Sequence, residues 1–336
     1  MHYTLPEEVE LALRSYEIFT NWPDYVGPPG HLKQIGFVQI VPENEIELLK
    51  KNVEMQRSLG ANAEIISSEE LREIEPDWQL DDVSCAAYEP DSGYGDGSVT
   101  ANDFLAGARE MGAEFLSRTR VTAFDVEGGR IRGVETDKGD YEAPVVVAAT
   151  GPWSAPLFRG VGCDLPIELE FHRVAILKNP PDMKGGGCAL IDGACLVYLR
   201  SEGDGMTLVG EFTGPRGVDP DDFPQSVSDE DLAEVALLGA RRIPALESCG
   251  VVRSVTGIYD VSPDYRPLLG KTPGVEGLYM ACGFSGMGYK IAPAVGLTMA
   301  ELIVDGQARA VDISIFDPAR FAANALIQAP HEYADG

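Results

Sequence analysis

Residues 262–296, SPDYRPLLGKTPGVEGLYMACGFSGMGYKIAPAVG, constrain this chain more than any other stretch of its 336 residues. A Pro-rich loop leads to a short apolar strand at Leu278 to Ala281, then to the turn Gly283-Phe-Ser-Gly286-Met-Gly288, and then to a helix opening near Ile291. A strand that ends in glycines and runs into a helix turns bare N–H groups and a helix N-terminus toward an electron-rich ligand. The plain alternative is a tight turn whose glycines only supply positive φ. A serine-hydrolase elbow, G-x-S-x-G, needs glycine at position 287 and finds Met287.

The order Pro-Asp-x-x-Pro-x-x-Gly, apolar strand, Gly-Phe-Ser-Gly-x-Gly-Tyr-Lys-x-Ala-Pro resembles the C-terminal flavin signature of the FAD-dependent amine and amino-acid oxidoreductases. This is the family of D-amino-acid oxidase, sarcosine oxidase and glycine oxidase. Val145-Val-Val-Ala-Ala-Thr-Gly-Pro-Trp-Ser154 is similar to the family's A-x-G-x-W segment, with Ala149, Gly151 and Trp153 in the matching places. An apolar run ending in glycine is a buried parallel strand by pattern, and ligands bind at the C-terminal edge of such strands. Upstream, a helix at 97–112 should bury Phe104, Leu105, Ala108 and Met111 on one face, followed by strands at 120–126, 130–136 and 141–149.

The resemblance implies an α/β fold: a Rossmann-like FAD-binding domain from 1–20, 85–164 and 257–330, and an α+β, mixed-sheet substrate domain from 21–84 and 165–256. Helices are expected at 4–20, opened by a capping box Thr4-x-x-Glu7, at 43–59, 67–75 and 229–242. The substrate domain should carry strands at 37–41, 168–177, 194–199, 207–211 and 251–256.

Members of the family begin with a strand, a G-x-G-x-x-G turn and a helix that cradle the FAD pyrophosphate. No G-x-G-x-x-G occurs in this sequence: the third glycine position is Ser98, Leu208 or Ile291 at the three nearest approaches. Met1-His-Tyr-Thr-Leu-Pro-Glu-Glu resembles an interior family segment, so Met1 is expected to be an internal methionine. The flavin domain then reads as N-terminally truncated by one βαβ unit of ~30 residues or more. Its strand is expected between those at 145–149 and 278–281.

Hydrophobic residues at 44% and charged residues at 24% place the chain among globular proteins with a sizeable core. No run approaches the ~18 apolar residues of a membrane span, the first twenty residues are not signal-like, and a cytoplasmic location is expected. The net charge of −28 argues against nucleic acid and anionic lipid as partners. It fits either a coat adapted to high salt or an ordinary acidic protein. Six cysteines without a C-x-x-C pair read as free thiols, and four scattered histidines give no metal site.

The chemistry that the resemblance implies is oxidation of an amine or amino-acid C–N bond, with hydride passing to FAD. The matching positions make Lys290 the anchor of the substrate carboxylate, Tyr259 an active-site tyrosine and Met287 the residue where sarcosine oxidase has a histidine beside the flavin. A half-buried strand tyrosine is the plain alternative for Tyr259. Flavin contacts are expected from Val121, Ala149, Gly151, Trp153, Gly283, Gly286, Met287, Gly288, Tyr289 and Lys290. Gly257 stands where sarcosine oxidase has its flavin-bonding cysteine, so FAD should be non-covalent. No lysine lies around Met206 to Gly210, where an oxygen-activating lysine is expected; an electron-acceptor protein or quinone then fits better than oxygen. A non-catalytic or complementing subunit, and a glycerol-3-phosphate dehydrogenase-like enzyme, are the other functions considered, the last wanting more basic residues for phosphate.

Overall fold

Alternation of apolar residues along β-strands and caps at helix starts divide the chain into sixteen strands and nine α-helices among the described residues, which in this computed structural model are 2–27, 30–183, 187–203 and 205–333. Met1, read above as an internal methionine, lies outside them. The strands are β1 Lys33–Gln34, β2 Phe37–Ile40, β3 Glu64–Ser67, β4 Cys85–Glu89, β5 Gly93–Tyr94, β6 Val121–Glu127, β7 Arg130–Thr136, β8 Tyr141–Glu142, β9 Val146–Ala148, β10 Glu168–Lys178, β11 Ala189–Asp192, β12 Val197–Ser201, β13 Met206–Glu211, β14 Val251–Val261, β15 Leu268–Lys271 and β16 Leu278–Cys282. The helices are α1 Pro6–Thr20, α2 Trp22–Tyr25, α3 Ile46–Ser58, α4 Ser68–Ile74, α5 Gly97–Glu110, α6 Ser154–Arg159, α7 Asp229–Arg242, α8 Gly288–Asp305 and α9 Ala319–Ala322.

A mixed eight-stranded sheet, ordered β14-β10-β13-β12-β11-β2-β4-β3, forms the larger layer. Its core of Val38, Leu177, Leu199 and Val209 packs against Val235 of α7. The second layer is the sheet β15-β16-β9. Leu278, Met280 and Cys282 of β16 face the cluster around Phe124 and Phe158, while Ala281 faces the helices α1 and α8. Burial on both faces is what makes this strand read as an unbroken apolar run.

Helix α8 is locked onto α1 by chemistry that its own sequence forces. Pro293 sits inside α8, and the next N–H, that of Ala294, donates to Ser15 Oγ of α1 at 3.1 Å. Farther along, Thr298 Oγ1 donates back to the Ala294 carbonyl at 2.9 Å. These contacts set the direction in which the start of α8 points.

Several expectations change. The strands at 145–149 and 278–281 are directly paired in parallel, Val146 with Leu278 and Ala148 with Met280, so no strand lies between them. The open flank is instead the outer edge of β9, where Val145 and Val147 are 41% and 45% exposed. Pro144 separates β8 from β9, breaking the strand expected at 141–149, because proline cannot donate to a ladder. The Thr4 capping box does not form: Leu5 is the N-cap, and Thr4 Oγ1 bonds Arg266 and Glu332 instead. The expected apolar face of α5 is not buried, with Phe104 and Met111 exposed. A capping box forms instead at Ser67 and Glu70, opening α4. All six cysteines are free, and no helix among the described residues is long and apolar enough to cross a membrane.

Candidate functional site

The glycine turn is built by Asp260. Buried at the end of β14, its carboxylate accepts the Gly283 N–H at 2.6 Å, and its carbonyl accepts the Ser285 N–H at 3.1 Å. Ser285 Oγ in turn accepts from the Ser262 N–H at 3.2 Å. The turn passes through positive φ at Gly283, Ser285 and Gly286. At Gly286 a Cβ would stand 2.5 Å from the Tyr259 ring, so glycine is required there by contact as well as by φ. Burial raises the Asp260 pKa, opposed by the N–H of Gly283.

Helix α8 opens at Gly288 with no side-chain cap on its first-turn N–H groups. Those groups, with the bare backbone of Gly286 to Gly288, suit a flavin carbonyl and the negative charge that a reduced flavin ring carries. Lys290 projects from the same turn into a cavity of about 490 Å³ that is also lined by Tyr259, Gly286 and Met287. Its Nζ lies 3.3 Å from His2 Nδ1 and 4.8 Å above the Tyr3 ring. Burial lowers the Lys290 pKa to about 8, with Glu8 pulling the other way. His2 touches Met287 Sδ at 3.3 Å, and burial together with Lys290 keeps its pKa well below the ordinary value.

The opposite wall comes from the eight-stranded sheet. Tyr259 stacks on His172, with ring centroids 3.8 Å apart, and shares a hydrogen bond with Tyr198. Gly210 makes room for Tyr198, whose Cζ would lie 2.0 Å from a Cβ there. The buried carboxylates of this wall are already engaged: Glu170 accepts from Arg216 Nε at 2.7 Å, and Glu211 from Arg173 Nη2 at 2.7 Å. Lys290 and Arg200 are the lysine and arginine side chains of the cavity lining.

Of the residues expected from the sequence, Tyr259, Gly286, Met287 and Lys290 line this cavity. Tyr289 points into a neighbouring one and hydrogen-bonds Thr100 at 2.9 Å. Gly283 and Gly288 shape the turn. Ala149, Gly151 and Trp153 sit at and beyond the end of β9, outside the cavity lining, with Trp153 Nε1 donating to Asp221 at 3.0 Å. Val121 opens β6, also outside it. His2, His172, Tyr198 and Arg200 are additions from the structure; the last three had only the side-alternation of β10 and β12 as a sequence signal, and His2, ahead of α1, had none.

A parallel strand, glycine turn and helix closed over by a mixed sheet is the arrangement of a flavoprotein oxidoreductase. The family model for FAD dependent oxidoreductases matches residues 1–302, and the chain belongs to that family. FAD is the family's cofactor. The chain is 26% identical over 294 residues to mitochondrial sarcosine dehydrogenase of Mus musculus, covering 81% of this chain and 30% of that protein's length. It is 27% identical over 333 residues to sarcosine oxidase subunit beta of Arthrobacter sp, covering 97% of this chain and 80% of the relative. Among solved structures, L-proline dehydrogenase from P. horikoshii superposes with a TM-score of 0.87 at 29% identity, over 97% of this chain and 86% of the other.

Proposed function

We propose that this protein oxidises the C–N bond of an amino acid or N-methylated amino acid, using non-covalent FAD. The observation that carries the reading is the convergence of a desolvated lysine, a tyrosine pair and an uncapped helix start on one cavity. FAD, when bound, supplies the hydride acceptor. Lys290 would hold the substrate carboxylate, Tyr259 and Tyr198 would wall the amine carbon, and the backbone at 286–288 would hold charge at the flavin's carbonyl edge. Gly257, where a covalent anchor would need a nucleophile, carries no side chain.

The acceptor in this reading is an electron-carrier protein or a quinone. Cavity-facing positions on β13 are Leu208 and Glu211, neither of which is a lysine. The outer edge of β9, unpaired among the described residues, is where we place the adenosine half of FAD.

An amino-acid and amine panel with an artificial dye as acceptor tests this on flavin-loaded protein. Amino acids should bleach the flavin, which should then reoxidise slowly in air and quickly with the dye. No bleaching by any amino acid would overturn the substrate class. Fast stoichiometric hydrogen peroxide formation would overturn the acceptor.

A further inference from the structure

The cavity beneath the glycine turn does not end at Lys290. A second chamber of about 600 Å³ adjoins it, and the two share His2, Phe37, Tyr94, Arg200 and Lys290 as walls. Ser285, Gly286 and Met287 line the first chamber alone, whereas Tyr289 lines the second. Leu13, Tyr16 and Phe19 of α1, with Leu32 and Phe37, make much of its lining apolar. Its polar groups at the far side are partly satisfied, Asn62 Nδ2 donating to Asp91 at 2.6 Å. A space of this size suits a ligand much larger than a methyl group.

Arg200 stands where the chambers meet. Its guanidinium lies 4.2 Å from the Tyr94 ring centroid, which fixes its plane. One nitrogen pairs with Glu202 and donates to the Ser201 carbonyl. Glu202 is itself shared with Arg253 at 3.0 Å, so one carboxylate faces two guanidinium groups and leaves positive charge over. Arg200 and Lys290 are the lysine and arginine side chains that line both chambers.

We infer that Arg200 binds the substrate carboxylate at this junction together with Lys290, and that the second chamber receives an apolar substituent on the amino acid. The preferred substrates are then amino acids with a bulky apolar group on nitrogen or the α-carbon, rather than glycine or sarcosine. This rests on the amino-acid reading above and adds the substrate class to it. A guanidinium fits a carboxylate through two parallel N–H bonds, a match that a desolvated ammonium does not offer.

Two measurements on flavin-loaded protein separate failure of this inference from failure of that reading. In calorimetry, phenylacetate should bind at least tenfold tighter than acetate. Arg200→Gln should weaken both about ten- to a hundredfold, with Arg200→Lys between. Leu13→Trp, which fills the second chamber, should remove the preference for phenylacetate and leave acetate unchanged. In turnover, N-benzylglycine should exceed sarcosine in kcat/KM by tenfold or more, a preference also lost in Leu13→Trp. Equal binding of the two carboxylates, or an Arg200→Gln protein that binds both as the parent does, overturns the inference even if amino acids are oxidised. Arg200-dependent phenylacetate binding without bleaching by any amino acid would uphold the subsite and sink the catalytic reading.

Discussion

Lys290 shows how burial changes what one residue does. An ordinary lysine keeps its charge to about pH 10.4, whereas burial brings this one to about 8. The charged form prevails below that value and is lost as pH rises through it. Acetate affinity should therefore fall above pH 8 in the parent protein, and Lys290→Arg should flatten that limb, as calorimetry across pH 6 to 10 would record. Lys290→Met removes a charge-assisted hydrogen bond of roughly 1.5 to 3 kcal/mol, so KM for amino acids should rise about ten- to a hundredfold. Amines without a carboxylate should be nearly unaffected, and equal losses for both would refute the assignment. Glu8, 1% exposed, is the matching case among acids. Burial raises its pKa from 4.5 to about 7, partly offset by Arg266. The folded state therefore disfavours its ionised form: stability is full below pH 4.5, falls as pH rises toward 7, and is level above. That shift corresponds to at most roughly 3 kcal/mol. Glu8→Gln should accordingly raise Tm at pH 8 and leave it unchanged at pH 4.

Among elements, α7 carries the largest test of packing. Its last residue, Arg242, is fully buried and donates to Asp192 of β11 at 2.7 Å and to Asp82 at 2.8 Å. Arg242→Met leaves Asp192 buried without its cation, which costs about 3 to 5 kcal/mol in such settings. Adding Asp192→Asn should recover part of that loss in urea unfolding, and strict additivity of the two would show that they do not act as a pair. Helices α7 and α4 were legible in the sequence at 229–242 and 67–75, and the structure adds the Ser228 and Ser67 caps that open them. Strand β11 was not, because Ala189-Leu-Ile-Asp192 is too short for its alternation to stand out. Lys290, Tyr259 and Met287 were legible because one motif and its neighbouring strand hold them. His172 and Tyr198 were not: β10 and β14 place Glu170 opposite Tyr259 and His172 opposite Gly257, and register between strands over eighty residues apart leaves no local pattern. His2 was passed over because its role depends on Lys290, 288 positions away.

At the scale of the whole molecule, the sheet β15-β16-β9 ends on an edge that is open among the described residues. Strand β16 is paired on both sides, but β9 is paired on one side only among the described residues. In a parallel ladder, successive residues direct their N–H groups to opposite neighbours. The Val146 N–H donates to the Gly277 carbonyl at 3.0 Å, so that of Val147 points outward, and the exposed Val145 and Val147 side chains flank it. Such an edge is a template for another strand and a hazard when left bare. FAD-free protein should therefore aggregate more readily than protein loaded with FAD. The loaded protein should be yellow and should release intact FAD on acid precipitation. Val147→Pro removes the outward N–H while sparing the ladder to β16, and should block flavin loading with little change in the far-UV spectrum. Full flavin loading of the Val147→Pro protein would place the nucleotide site somewhere other than this edge.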